Sequence, residues 1–142
     1  MRMTIPIEPV GQLRPRATRY GRGIRFYDPK KVAKFKKDVG EYVFCEMNAR
    51  NLKRFNGKPL KVTLKIFRPI QQSISNRERL KRLSHVHRPQ VKSDLDNYIK
   101  SILDALNGII WDDDRNIISI VADKYYTEDP RIEIEVEDIS NE

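Results

Sequence analysis

The 142-residue chain is 39% hydrophobic and 34% charged, with a net charge of +8 and one cysteine. That length suits one domain around one core, and the composition is that of a globular protein with a heavily charged surface. A single cysteine excludes an intrachain disulfide and a thiolate zinc site, and no apolar run reaches membrane-spanning length. The start, Met1-Arg2-Met3-Thr4-Ile5-Pro6, lacks the apolar stretch of a signal peptide, so a cytoplasmic location is expected.

Charge is divided unevenly along the chain. Residues 1 to 92 hold 24 of the 28 Lys and Arg but 6 of the 20 Asp and Glu, an excess of 18 positive charges. The remaining 50 residues hold 4 basic and 14 acidic groups, an excess of 10 negative charges. A basic surface of that size attracts a polyanion such as nucleic acid, and binding should weaken steeply with salt. The bland alternative is a solvated basic surface with nothing bound.

In chain order, Thr4 to Glu8 reads as a short strand that Pro6 confines to a sheet edge or end. Residues 11 to 26 form a loop with five Arg and no Lys, which suits bidentate phosphate contacts, and Gly21 and Gly23 suggest a hairpin within it. Asp28-Pro29 predicts a helix start, with Asp28 as N-cap and Pro29 at the first position. Val32, Phe35, Val39, Tyr42, Val43 and Met47 then recur at helical spacing. Gly40 costs that helix about 1 kcal/mol, and Cys45 is expected to fill core space.

Asn56-Gly57 breaks the chain, and Leu60, Val62, Leu64 and Ile66 alternate with polar residues as a half-buried strand. Residues 69 to 92 lose that periodicity and are expected as a mobile basic arm, with a weak helical patch at 77 to 83. His85 and His87 lie in this arm without a cysteine to complete a metal site. Ile117 to Tyr126 and Arg131 to Glu137 read as strands turned at Thr127-Glu128-Asp129-Pro130, and Glu133, Glu135 and Glu137 make one sheet face wet.

Between these strands lies the most informative stretch. Ile99, Ile102, Leu103 and Leu106 mark the buried stripe of a second main helix, which ends at Asn107-Gly108, while Asp96, Lys100 and Asp104 sit four apart on its polar face. Two helical residues two apart point about 200° from each other, so Asp94 and Asp96 can share a ligand only if Asp94 precedes the helix. Both carboxylates then converge beside the helix N-terminus, where a phosphate is also favoured. Capping by Ser93 and an Asp96–Lys100 ion pair would explain the same residues without function. Asp112, Asp113 and Asp114 follow Trp111 at once, and the turn after the helix can return one of them toward Asp94. Carboxylates alone around a hard divalent ion describe Mg²⁺ or Mn²⁺ rather than zinc.

Asp94-Leu95-Asp96-Asn97, Lys100, Leu103-Asp104-Ala105-Leu106-Asn107-Gly108, Trp111, Asp113-Asp114, Ile117 and Lys124 together resemble the RusA family of Holliday junction resolvases, Mg²⁺-dependent endodeoxyribonucleases often carried by prophages. The resemblance is dense over residues 92 to 138. It implies an α+β fold, a small mixed sheet of about four strands with two main helices packed on one face, in one domain over residues 1 to 142. It also implies a homodimer acting on branched DNA in recombination and repair. By position, Asp94, Asp96 and Asp114 are the implied metal-binding aspartates, with Asp113 the alternative for the third, and Lys100 is the implied catalytic lysine. Arg14, Arg16, Arg19 and Lys92 are candidate phosphate contacts. The rival readings are a non-catalytic basic DNA-binding module and a basic interaction scaffold.

Overall fold

The computed structural model describes residues 1–90 and 93–141. Its elements in order are β1 (Arg2–Ile5), β2 (Arg16–Tyr20), β3 (Gly23–Tyr27), α1 (Lys30–Ala49), β4 (Leu60–Pro69), α2 (Asn76–Leu83), α3 (Leu95–Leu106), a 3-10 turn (Asp114–Asn116), β5 (Ile117–Thr127) and β6 (Arg131–Asp138). Four strands form a mixed sheet in the order β1-β6-β4-β5, and β2 and β3 form a separate two-stranded sheet. The fold is α+β, as expected. The sequence reading joined Ile117–Tyr126 and Arg131–Glu137 only through a turn, and in the structure β4 lies between them, antiparallel to β6 and parallel to β5. A parallel pair needs a long crossover, and here the crossover carries α2 and α3.

Alternation in β4 and β6 builds the inner face. Leu60, Val62, Leu64 and Ile66 join Ile132, Ile134 and Val136, with Met3 and Ile5 of β1, in one core cluster. The opposite face pairs Lys65 with Glu133 and Lys61 with Glu137 across the β4–β6 register, and Arg2 reaches Glu135 at 3.2 Å. Opposite charges directly across an antiparallel pair favour that register over a one-residue slip, which would turn the apolar set outward.

Helix α1 covers the core with Val32, Phe35, Val39, Val43 and Met47. Cys45 is exposed, contrary to expectation. It stands two residues beyond Val43, about 200° around the helix from that stripe. The start also differs: Pro29 is the N-cap position, with no side-chain cap. The Asp28 carboxylate instead accepts from Gln12 Nε2 at 2.9 Å and from Lys36 Nζ at 2.8 Å. Gly40 has a packing reason, because a Cβ there would stand 3.2 Å from Ile109 Cδ1 and 3.3 Å from the Ala105 carbonyl. The missing side chain is what lets α1 approach α3 closely.

Residues 70 to 90, expected as a mobile arm, carry α2 and grip the far end of β5. Ser75 caps α2 by accepting from Glu78 N at 3.2 Å. Arg82 lies over the Tyr126 ring at 4.3 Å and Arg88 over Tyr125 at 4.4 Å. Neighbouring strand residues face opposite sides, so the segment holds both faces of β5. Arg88 also donates to the Lys124 carbonyl at 2.9 Å and to Asp123 at 2.7 Å. His85 packs edge-on to Tyr125 and so serves this docking, while His87 meets Glu78 at 3.0 Å within the segment itself.

Each arginine–ring contact is worth about 0.5–1 kcal/mol at an exposed site, and the added hydrogen bonds about 1 kcal/mol each. Replacing Arg82 and Arg88 together by Ala should speed amide exchange in α2 about tenfold while leaving the β4 amides as slow as before. Hydrogen exchange by mass spectrometry reads this, and unchanged exchange in α2 would show that other contacts hold it.

Candidate active site

The N-terminal segment crosses the first turns of α3 and fixes where they lie. Ser101 Oγ donates to the Val10 carbonyl at 2.6 Å, and Gln12 N donates to the Asn97 carbonyl at 2.9 Å. Between these bonds Gly11 is buried against Ser93, and a Cβ at residue 11 would overlap Ser93 Cβ and Oγ. From the other side, Lys124 Nζ donates to the Ser93 carbonyl at 3.3 Å. The residue before Asp94 is therefore held between two strands of chain.

Asp94 is the N-cap position of α3, with extended backbone (φ −65°, ψ 150°), and Asp96 is in the first turn. Its carbonyl accepts from Asn97 N at 3.1 Å and Tyr98 N at 3.3 Å, but its carboxylate makes no cap bond. Among the described residues, the Asp94 and Asp96 carboxylates have no hydrogen bond or ion pair, and both residues are exposed. The two bland explanations for them are thus absent here: Ser93 is not the N-cap, and Asp96 does not pair with Lys100.

Lys100, one turn beyond Asp96 and about 6 Å along the axis, opens into a groove of about 460 Å³ lined by Gln12, Arg14, Asp28, Lys36, Asn97 and Asp104, among others. Lys36 crosses its floor, 2.8 Å from Asp28 and 3.2 Å from Asp104. The Lys36 hydrogen bond holds the Asp28 carboxyl below its usual range, against a smaller upward push from burial, with Gln12 adding to the lowering. Both carboxylates are thereby occupied, and Lys100 is left without an ion pair among the described residues.

The aspartates after Trp111 divide their roles. Trp111 is fully buried and donates to Asn107 Oδ1 at 2.7 Å, which pins the turn. Asp112 Oδ1 accepts from Asn116 Nδ2 at 2.7 Å, and Asp113 caps the 3-10 turn by accepting from Arg115 N at 3.1 Å. Asp114 is half-buried, and burial, then the neighbouring Asp113, raises its pKa, with Asp104 adding repulsion. It therefore stands toward the C-terminal half of α3, whereas Asp104 is about 12 Å along the axis from Asp96. Among the described residues no three His, Cys, Asp or Glu side chains gather closely enough to hold a metal ion. The structure brings Asp94, Asp96 and Lys100 onto one end of α3 and does not bring Asp114 or Asp113 to them. Arg14 lines the groove, Arg16 and Arg19 lie on β2, and Lys92 falls outside the described residues.

A family model for endodeoxyribonuclease RusA matches residues 6–137. The chain belongs to the RusA endodeoxyribonuclease family. It is also 32% identical over 142 residues to YqaN of Bacillus subtilis (strain 168), an uncharacterised protein, covering 99% of this chain and 97% of that one. The RusA match takes in every element from β2 to β5 and most of β6, so the groove, the hairpin and the acidic turn all belong to the family region. No described helix is long and apolar enough to cross a membrane.

In this RusA chain, sequence reasoning missed Gln12, Asp28, Lys36 and Asn97 as groove residues. Asp28 was hidden by a capping role, and Lys36 by its place among five lysines in one helix. Gln12 carries a visible signal only in three dimensions, where its Oε1 is buried without a partner among the described residues.

Gly11→Ala should destabilise the protein by about 1–3 kcal/mol, the usual cost of overpacking, because Ser93 is pinned on both sides; thermal unfolding measures it. Asp28→Asn should cost about 1 kcal/mol at neutral pH. Because the folded-state pKa is depressed, that contribution is present above the ordinary value of 3.8 and disappears as pH falls through the folded value. Wild-type and Asp28→Asn melting temperatures should accordingly converge in acid.

Proposed function

We propose that this RusA-family chain hydrolyses phosphodiester bonds in branched DNA, with four-way junctions as the preferred substrate and Mg²⁺ or Mn²⁺ as cofactor. The observation that carries the reading is the pair of unpartnered carboxylates, Asp94 and Asp96, at the open N-terminus of α3 with Lys100 one turn beyond. Two hard-oxygen donors beside a phosphate site fit a cation that takes one or two carboxylates and completes its shell with water and substrate phosphate. The three-carboxylate set does not fit this arrangement, since Asp114 stands apart. When bound, the cation lowers the pKa of the attacking water and stabilises charge on the phosphorus and leaving oxygen.

The chain's own residues supply the rest. The positive end of α3 favours both the carboxylates and the scissile phosphate. Lys100 places its ammonium where charge develops in the transition state. Lys36 keeps Asp28 and Asp104 occupied, so neither competes for Lys100. Arg14, Arg16, Arg19 and Lys92 contact phosphates and set the position of the junction. Asp114 enters as the third acidic residue on the family resemblance, in preference to Asp113, whose carboxylate caps its own turn.

A homodimer completes the proposal. Strand β5 is a sheet edge, and among the described residues Arg88 bonds to it at Asp123 and Lys124 while residues 117 to 122 have no strand on that side, with Ile118, Ile120 and Val121 exposed. An open apolar edge of that kind recruits a second strand, and a two-fold pair of sites matches a junction cut by symmetric nicks in recombination and repair. The rival reading, a non-catalytic basic DNA-binding module, draws on the separation of Asp114 from the pair.

The test compares labelled four-way junction and linear duplex in Mg²⁺ or EDTA. Asp94→Asn and Asp96→Asn should each reduce junction cleavage on the order of 100-fold or more with binding retained. Asp114→Asn should damage cleavage far more than Asp113→Asn. Normal cleavage by Asp96→Asn would sink the site, and equal cleavage of duplex and junction would leave a nuclease without junction preference. Ile118→Lys should shift the protein to monomer in sedimentation, and an unchanged dimer would move the interface elsewhere.

A further inference from the structure

The β2–β3 hairpin has no structural reason within this chain. Among the described residues it pairs with no other strand, and every one of its strand residues is exposed. Tyr20, Ile24 and Phe26 are 70%, 67% and 68% exposed. An isolated two-stranded hairpin is marginal in water, and three large apolar side chains at its surface add to that cost unless something covers them.

Its chemistry says what covers them. Arg16, Arg19, Arg22 and Arg25 lie on the hairpin, Arg14 leads into it, and no acid occurs between Glu8 and Asp28. In the register, Arg19 faces Ile24 and Ala17 faces Phe26, while Arg16 faces Tyr27 and Thr18 faces Arg25. Strand alternation therefore puts Ile24, Phe26 and Arg19 on one side, and Tyr20, Tyr27, Arg16 and Arg25 on the other. Each face combines rings or branched aliphatics with guanidinium. A second copy of the hairpin would bring like charges together, so the charge excludes that occupant and selects a polyanion with flat apolar surfaces. Nucleic acid with unstacked bases has both.

The turn and base of the hairpin fit the same use. Gly21 has φ 57°, and Arg22 is not among the residues with positive φ, the pattern of a tight hairpin turn with glycine at its first central position. The strands, roughly 17 Å long at 3.4 Å per residue, rise directly from Leu13, Arg14 and Pro15, which share the groove with Lys100. A ribbon anchored there reaches past the scissile phosphate toward the place where duplex arms meet.

We propose that the β2–β3 hairpin is a ribbon that enters the opened centre of a DNA junction, stacking Phe26 and Ile24 on base pairs exposed there while its arginines bind phosphates of the converging arms. This rests on the branched-DNA reading above. Intact duplex offers the arginines the same phosphates but hides its base faces, so the apolar residues distinguish branch from duplex. Ring-on-base stacking and wedge insertion at an unstacked step are the physical basis.

The experiment uses the full-length protein with a four-way junction carrying 2-aminopurine beside the branch point, in EDTA so that no cleavage occurs. Wild type should raise the fluorescence on binding, reporting unstacking. Ile24→Ser/Phe26→Ser should abolish that rise and weaken junction binding about tenfold or more, with affinity for linear duplex within about twofold of wild type. Phe26→Trp should retain both the rise and the affinity, which separates loss of stacking from loss of fold, and melting temperatures check the double variant. An unchanged fluorescence rise and junction affinity in the double variant would overturn the proposal. So would a parallel loss of junction and duplex binding, which is the signature of a plain phosphate contact. Wild-type junction cleavage in Mg²⁺ tests the branched-DNA reading separately, so the two fail by different observations.

Discussion

The seat of the first turn of α3 is the constraint on which the rest depends. Three contacts make it: the Val10 carbonyl taking Ser101 Oγ, Gln12 N reaching the Asn97 carbonyl, and Gly11 packed where a Cβ cannot fit against Ser93. They use the backbone of the crossing segment and the inner side of the helix. The outer side of the first turn is left to Asp94 and Asp96. With its N-cap carboxylate making no cap bond, the helix keeps donors and partial positive charge at its start, which is a poor arrangement for stability and a good one for anion binding.

Charge follows the same division between structure and function. The outer sheet face matches Lys65 with Glu133 and Arg2 with Glu135, and Lys36 joins Asp28, just ahead of α1, to Asp104 of α3. Surface pairs contribute little each, so their value lies in register and in keeping acids occupied. Arg14, Lys100 and the arginines of the β2–β3 hairpin, at one groove and its rim, are among the cations left without an ion pair among the described residues.

Much of this was legible in the chain, for reasons that differ by element. Helices α1 and α3 announce themselves because apolar residues recur at helical spacing, and 200° between neighbours two apart forces Asp94 outside the helix. Asn107-Gly108 marks its end because glycine takes the left-handed conformation, φ 77° at Gly108. What could not be read depends on partners distant in sequence. Insertion of β4 between β5 and β6 is set by non-local pairing, which leaves no trace in local alternation. Docking of residues 70 to 90 rests on arginines over Tyr125 and Tyr126, and a polar segment held by cation–π contacts has no hydrophobic period to detect. Cys45 was misplaced because composition around a residue does not fix its angle on the helix.

The acidic run after Trp111 shows how geometry splits a cluster that sequence presents as one. Asp112 and Asp113 are consumed by the turn, each through a hydrogen bond within four residues. Asp114 alone turns inward, where burial and Asp113 make it hold its proton more tightly than an ordinary carboxyl. Asp104, which Lys36 links to Asp28 across the groove, adds the last and smallest upward push. The acidic turn and the groove thus come nearest each other at Asp104, on the polar face of α3.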